Sequence, residues 1–305
     1  MEFNNFRYVW LDGEKIPWEE AKVHVMTHAI HYGTSVIEGI RAYASHNNLY
    51  IFRLEDHVKR LLDSARVYSL NIKYSKEEII KAIIDIIKYN QIKSSCYIRP
   101  IGFAGFNGID LYINDNSLVH LAILLFRFEG YLNINGIKAA VSSWRRISDP
   151  SLPPLAKAGG NYLNSVLATQ ECKKNNYDEA IMLDSQGNVS EAPGENVFII
   201  RNGRIFTPGL SSGILEGITR DTAINIAKDL GYEVIERSIP RTELYLAEEI
   251  FLTGTAAEIT PVISIDNHKV GDGKVGRITS IIKDTYSKAV RGDIEKYRGW
   301  LTPVY

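Results

Sequence analysis

Strand and helix patterns follow one another in this chain without settling into a regular βαβ alternation, and that irregularity most constrains its fold. Residues 8–16 read as two short strands around Asp12-Gly13, a dipeptide suited to the positive φ angles of a tight hairpin. Leu49-Tyr-Ile-Phe-Arg53 is a further strand pattern, followed by Leu54, Val58, Leu61, Leu62 and Ala65 at helical spacing. Ser75 with Glu78 resembles a capping box ahead of Ile79, Ile80, Ile83, Ile84 and Ile87. Strands are expected at 96–103 and 119–126. Phe128-Glu-Gly-Tyr-Leu-Asn-Ile-Asn-Gly136 then breaks the periodicity. Beyond it come strand patterns at 137–142, 178–183, 196–200 and 249–252, a hairpin at Asn202-Gly203, and a helix over 219–230 with Gly231 as its C-terminal cap. Such mixing disfavours a doubly wound sheet and predicts an α+β fold. The expected division is a smaller N-terminal αβ domain (1–127), an interdomain loop (128–136) and a larger mixed domain (137–305).

Hydrophobic residues form 45% of the 305, enough for real cores. Thirty-five basic and 36 acidic side chains leave a net charge of −1, so no global field draws the chain to nucleic acid or an anionic membrane. Cys96 and Cys172 cannot build a disulfide framework, and their apolar surroundings suggest buried free thiols in a reducing compartment. Met1-Glu-Phe-Asn-Asn-Phe-Arg7 lacks the basic-then-apolar order of a signal peptide. The strongest apolar run, 118–126, is too short to span a bilayer and contains His120. A soluble, cytoplasmic globular protein is expected.

Chemistry concentrates around Lys157-Ala-Gly-Gly-Asn-Tyr162-Leu-Asn-Ser and the distant Val189-Ser190-Glu191. A lysine, a phenol and a carboxylate are what an enzyme needs to hold pyridoxal 5′-phosphate. The amine forms an imine with the aldehyde, the phenol reaches the ring hydroxyl, and the carboxylate keeps the pyridine nitrogen protonated. Most lysines are solvated surface charges. Lys157 instead lies between a loop with Pro150, Pro153 and Pro154 and the permissive Gly159-Gly160 pair. Glu191 opens the tight loop Glu191-Ala-Pro-Gly-Glu-Asn196 ahead of an apolar strand. Gly217-Ile-Thr219-Arg-Asp221 offers amides and a hydroxyl at a helix start, where the dipole favours a phosphate. A plain helix cap is the more frequent role for a threonine placed as Thr219 is. Gly254-Thr255-Ala256-Ala257 is a second small-residue turn able to bring backbone donors to a ligand.

Arg60 falls on the helix beginning near Leu54 and reads alone as part of a solvated face with Lys59 and Arg66. Tyr97 and Arg99 alternate onto one strand face and together suit a carboxylate, and Pro100 reads as marking that strand's end. His24, His28 and His31 have a spacing that permits ligands on one helix, but no acidic or cysteine partner completes a metal set, so no metal is expected. A Gly-x-Ser-x-Gly elbow is absent.

Taken together, the segments resemble the branched-chain amino-acid aminotransferases, fold-type IV pyridoxal-phosphate enzymes. The resemblance runs through His31-Tyr32-Gly33-Thr34-Ser35-Val36-Ile37-Glu38-Gly39-Ile40-Arg41, residues 57–60, Tyr97-Ile-Arg99-Pro100, residues 157–165, Ser190-Glu191 with Gly194-Glu195-Asn196, residues 217–220 and residues 254–261. It implies a two-domain architecture, with Lys157 as Schiff-base lysine and proton shuttle, Glu191 at the pyridine nitrogen and Tyr162 at the ring oxygen. Arg60, the Ile218 amide, Thr219 and Thr255 would bind the phosphate, with Leu215, Gly217 and Gly254 beside them. Tyr97 and the amides of Thr255 and Ala256 would meet the substrate α-carboxylate, with Ala257 also in the substrate site, while Arg99 and Tyr32 take the second carboxylate of glutamate. Ile37, Gly39, Phe128 and Tyr131 would wall the aliphatic chain. At least a homodimer is implied, a neighbouring subunit completing the pocket. The linker departs from the pattern in carrying Phe128-Glu129 where some relatives have a tryptophan.

The implied reaction is ping-pong transamination of L-leucine, L-isoleucine and L-valine with 2-oxoglutarate, Lys157 acting as general base. A D-amino-acid aminotransferase or an aminodeoxychorismate lyase shares the Lys157 and Glu191 logic. A cofactor-free Schiff-base aldolase and a non-catalytic binding protein are readings from other classes.

Overall fold

The computed structural model describes residues 6–127, 132–133 and 135–305. Its backbone packing divides the chain into two units: Met1–Glu129 with Ala156–Gly160 and Ala289–Tyr305, and Gly130–Leu155 with Asn161–Lys288. The five residues around Lys157 therefore group with the first unit, although they lie far along the chain.

In the first unit, β1 (Tyr8–Leu11) and β2 (Glu14–Pro17) form the hairpin around Asp12 (φ 49°) and Gly13 (φ 98°). A short helix α1 (His28–Tyr32) ends at Gly33 in the left-handed conformation and leads into β3 (Ser35–Ile37), β4 (Ile40–Ser45) and β5 (Asn48–Phe52). Helices α2 (Leu54–Val67) and α3 (Lys76–Tyr89) follow, then the long strands β6 (Cys96–Ala104) and β7 (Val119–Arg127). Helix α3 begins with the expected capping box: Ser75 accepts from Glu78 N, and the Glu78 carboxylate accepts from Ser75 N. One face of α3 carries Ile79, Ile83, Ile86 and Ile87 into a core shared with Leu54, Val58 and Leu61 of α2 and with Ile40, Ile51, Ile98 and Ile123 from the sheet. Each such side chain contributes roughly 1.5–3 kcal/mol of hydrophobic stabilisation on full burial.

The strands run antiparallel in the order β5-β4-β6-β7-β1-β2, with β3 on β6. Contrary to the reading of Pro100 as a strand end, β6 runs through it to Ala104, and Pro100 is paired with Ile123. The reason lies in the facing edge. Strand β3 pairs with 101–103 and β4 with 96–98, so the edge is broken at Glu38-Gly39. Pro100 O accepts from Glu38 N at 2.9 Å. A strand residue turns its N–H and C=O to one side, so the donor that proline lacks would point into this gap.

In the second unit come β8 (Ile137–Arg145), α4 (Tyr162–Lys174), β9 (Glu179–Leu183), β10 (Asn196–Arg201) and β11 (Arg204–Thr207). They are followed by α5 (Ile218–Asp229), β12 (Val234–Glu236), β13 (Glu249–Gly254), β14 (Glu258–Ile265), β15 (His268–Lys269) and α6 (Arg277–Ala289). The sheet order is β12-β11-β10-β13-β14-β8-β9, with β15 on β14. Parallel pairs (β11 with β12, β14 with β8, β8 with β9) sit among antiparallel ones, as an α+β fold allows. Every residue of β9 is buried, which its run Ala180-Ile-Met-Leu183 tolerates. The chain closes with β16 (Leu301–Pro303), antiparallel to β5 in the first unit's sheet. Among the described residues, no helix is long and apolar enough to cross a membrane.

Candidate active site

In the first unit, backbone bonds fix the Lys157 segment. Lys157 N donates to Ser64 Oγ at 3.0 Å, its carbonyl accepts from Ile37 N at 2.9 Å, and Ala158 bridges to Val36. Neither Gly159 nor Gly160 has a positive φ, so their use is close approach rather than conformational freedom. A Cβ on Gly159 would collide with Ser35 Oγ, and Gly160 N donates to Gly33 O. Lys157 itself is half-buried.

Beside it lies a charged cluster in which Arg60 meets two residues that sequence reasoning left without a role, Glu38 and His57. Glu38, fully buried at the break between β3 and β4, takes Arg60 Nε at 2.6 Å, Arg60 Nη2 at 2.9 Å and His57 Nδ1 at 2.7 Å. Burial would raise the Glu38 carboxyl, but Arg60, His57 and their hydrogen bonds outweigh it and hold it far below the usual carboxylate range. Arg60 is therefore not on a solvated face; its side chain is 14% exposed and bound to Glu38. Lys59 and Arg66, by contrast, pair with Asp63 on the exposed side of α2.

On β6 the alternation holds: Arg99 Nη2 donates to Tyr97 Oη at 2.9 Å. Arg99 Nε is buried with no hydrogen-bond partner among the described residues. Ile37 pairs with Ile101, and Ile101, Arg99 and Tyr97 alternate onto one face of β6, so an apolar chain and a guanidinium share that face. Gly39 is needed where it stands, because a Cβ there would strike Tyr97 Oη. Tyr32 is exposed, and its hydroxyl donates to Ile109 O at 3.0 Å. Phe128 and Tyr131 lie outside the described residues. Of the three histidines, His28 and His31 belong to α1 but His24 precedes it, so they do not share one helix. Among the described residues, no group of three or more His, Cys, Asp or Glu is placed to hold a metal.

In the second unit, Glu191 is buried, and its Oε2 accepts from Asn196 Nδ2 and from Leu215 N, each at 3.0 Å. Arg146 Nε lies 2.7 Å from Glu191 Oε1. That nitrogen makes no directed hydrogen bond, so the contact is an ion pair off the N–H axis. Arg146 and Asn196 were not foreseen in these roles; Asn196 was visible as the last residue of the Glu191 loop, at the start of a strand and within the family resemblance, but with no function attached. Tyr162 opens α4 and is half-buried.

Helix α5 has Gly217 as its N-cap, and no side chain caps it. Thr219 therefore does not cap the helix; it is buried in the first turn, with Ile218 before it. Leu215 and Gly217 form the approach to that turn. Gly254 ends β13, Thr255, Ala256 and Ala257 make the turn into β14, and Thr253 Oγ1 near the strand's end is buried without a hydrogen-bond partner among the described residues. An uncapped helix start, an orphaned hydroxyl beside a small-residue turn and a fixed buried carboxylate fit a ligand carrying both a phosphate and a basic ring nitrogen. Pyridoxal phosphate has both.

Comparison with known proteins agrees. Residues 35–265 match the family model for amino-transferase class IV. The probable branched-chain-amino-acid aminotransferase of Aquifex aeolicus is 47% identical, covering 98% of this chain and 97% of its own. The branched-chain aminotransferase of Thermoproteus uzoniensis, solved with norvaline, superimposes with a TM-score of 0.95 at 48% identity, over 98% of this chain and 99% of that one. The T.th. branched-chain amino acid aminotransferase complexed with N-(5′-phosphopyridoxyl)-L-glutamate gives 0.96 at 42% identity over the whole of both chains.

Proposed function

The chain belongs to the class IV aminotransferases and is a pyridoxal-phosphate-dependent branched-chain amino-acid aminotransferase, and we propose that it exchanges amino groups between L-leucine, L-isoleucine or L-valine and 2-oxoglutarate. The observation that carries the substrate pair is the shared face of β6. The buried Arg99 Nε, without a hydrogen-bond partner among the described residues, stands on the same side as Ile37 and Ile101. A pocket that takes a leucine side chain in one half-reaction and a glutamate carboxylate in the other needs an apolar wall and a cation together, so that neither a charge nor a donor stays buried and unpaired. The relative solved with a phosphopyridoxyl-glutamate adduct supports 2-oxoglutarate and glutamate as the acceptor and product of the second half-reaction.

When bound, pyridoxal phosphate supplies the electron sink for the α-hydrogen's departure. The chain's own groups do the rest. Lys157 would hold the cofactor through Nζ, and the same amine, once free, would carry the proton between the substrate α-carbon and the cofactor carbon two atoms along. Glu191, held by Asn196, Leu215 and Arg146, would keep the ring nitrogen protonated, and Tyr162 would meet the ring oxygen. As the family resemblance implies, Arg60, the Ile218 amide, Thr219 and Thr255 would be the phosphate ligands, with Leu215, Gly217 and Gly254 beside the last three. Tyr97 and the amides of Thr255 and Ala256 would orient the α-carboxylate, with Ala257 beside them; Tyr32 would join Arg99 at the second carboxylate of glutamate, and Ile37 and Gly39 would wall the aliphatic chain.

Exposed apolar side chains support self-association: Leu163, Val166 and Leu167 on the outer face of α4, and Phe106, Ile109, Leu111 and Tyr112 between β6 and β7. We propose a homo-oligomer, at least a dimer, and light scattering of the purified protein tests it. The substrate assignment is tested by supplying L-leucine and D-alanine separately, each with 2-oxoglutarate. Turnover of L-leucine is expected; turnover of D-alanine alone would overturn it. Lys157→Ala is expected to abolish either reaction.

A further inference from the structure

Glu38 is buried completely, yet its two carboxylate oxygens receive four donors. Oε1 takes Arg60 Nε; Oε2 takes Arg60 Nη2, His57 Nδ1 and, at 3.2 Å, Gly39 N. His57 and Arg60 stand three residues apart on α2, so both reach the same point from one helix face. The break between β3 and β4 opposite Arg99-Pro100 turns the Glu38 side chain toward that face. We propose that Glu38 is a positioning residue, which fixes the Arg60 guanidinium so that it meets the cofactor phosphate in one set orientation. The inference rests on reading Arg60 as a phosphate ligand.

Two physical effects oppose each other here. By charge alone a carboxylate behind Arg60 repels an incoming phosphate, so removing it would tighten phosphate binding. By geometry it does the reverse. An arginine side chain carries about 2 kcal/mol of rotamer entropy, and a bidentate carboxylate removes that freedom before the ligand arrives. The Nε–Nη2 edge is committed to Glu38, which turns the Nη1 side away from it. His57 and Gly39 N in turn stop the carboxylate from following Arg60 toward an anion. With the carboxylate held from both sides in this way, the geometric effect dominates.

The test compares dissociation constants of pyridoxal 5′-phosphate and of pyridoxal, which lacks the phosphate, in cofactor-stripped protein. Glu38→Gln is expected to lower the preference for the phosphorylated ligand by about 10- to 100-fold, by analogy with the loss of a hydrogen-bonding partner behind a metal ligand. Glu38→Asp keeps the charge, shortens the reach and guards against a Glu38→Gln variant that fails to fold; it is expected to lower the preference less. Arg60→Gln should lower it as well, and Glu38→Gln added to Arg60→Gln should lower it no further. Equal losses for both ligands in the Glu38 variants, or an unchanged or increased preference, would overturn the proposal. If Arg60→Gln itself leaves the preference unchanged, the reading of Arg60 as a phosphate ligand fails, and the proposal with it.

Discussion

Asn196 Oδ1 stands where a side chain on Gly217 would begin. The φ of Gly217, −73°, is open to any residue, so this glycine serves the close approach of Asn196 and not a special backbone turn. The Asn196 amide nitrogen donates both to Glu191 Oε2 and to Leu215 O. One side chain thus ties the buried carboxylate to the segment that starts α5, and so links the proposed ring-nitrogen and phosphate contacts.

Gly217→Ala must therefore displace Asn196. Overpacking of this kind costs about 1–3 kcal/mol, measurable by urea unfolding. Displacing Glu191 by a fraction of an ångström to an ångström is expected to lower kcat by up to about 100-fold. Asn196→Ala should be harmful alone but should make Gly217→Ala nearly silent when the two are combined. Additive losses would show that the two residues act independently.

Arg146 supports Glu191 from the other side. Both side chains are buried, and their ion pair spans 2.7 Å. Arg146→Met keeps the bulk but leaves the carboxylate without its nearest cation, which typically costs about 3–5 kcal/mol when one member of a buried pair is removed. Equilibrium unfolding should register the loss. A variant as stable as the parent would mean that Asn196 and Leu215 suffice to hold the buried charge.

What was legible in the sequence was local. The Asp12-Gly13 hairpin, the Ser75–Glu78 capping box and the Gly231 helix end each depend on residues within a few positions of one another, and each stands as expected. Helix α4 was not legible. Leu163, Val166 and Leu167 are exposed while Ala168 and Cys172 are buried, so apolar residues lie all round it and the helical period is blurred. The principal residues of the candidate site stood out because lysine, tyrosine and glutamate in those settings carry recognisable chemistry. Glu38, Arg146 and Asn196 did not. Each acts through another side chain, and for Glu38 and Arg146 that partner is far away in sequence, so no spacing rule could reveal it.

Cys96 and Cys172 are expected to be inert thiols. Burial pushes Cys96 up to about 12, only partly offset by Arg41. Burial pushes Cys172 up to about 11, and Glu171, Glu179 and Asp266 add to it. Since the thiolate is the reactive form, an aromatic disulfide reagent at pH 8 should label neither cysteine in the folded protein and both after denaturation. Rapid labelling of either one under native conditions would contradict the packing around it.

His57 gives the fold a pH dependence whose sign follows from its surroundings. Burial lowers its pKa below the ordinary 6.5; the Glu38 carboxylate opposes this, while Arg60 and Lys157 reinforce it. An ionised Glu38 can only accept, so His57 is neutral with its proton on Nδ1. Below pH 6.5 the unfolded chain takes up a proton that the folded one refuses, so stability is complete above that value and falls as the pH drops toward the lower, folded-state value. The slope from this one group reaches at most about 1.4 kcal/mol per pH unit. Glu38 contributes in the same direction, but its share is lost only below its ordinary 4.5, so the two are separable. His57→Gln keeps a donor for Glu38 and removes the titration. Between pH 7 and pH 5 the free energy of unfolding of the parent should fall more steeply than that of His57→Gln, and parallel curves would show that His57 is protonated as readily in the folded protein as in the unfolded chain.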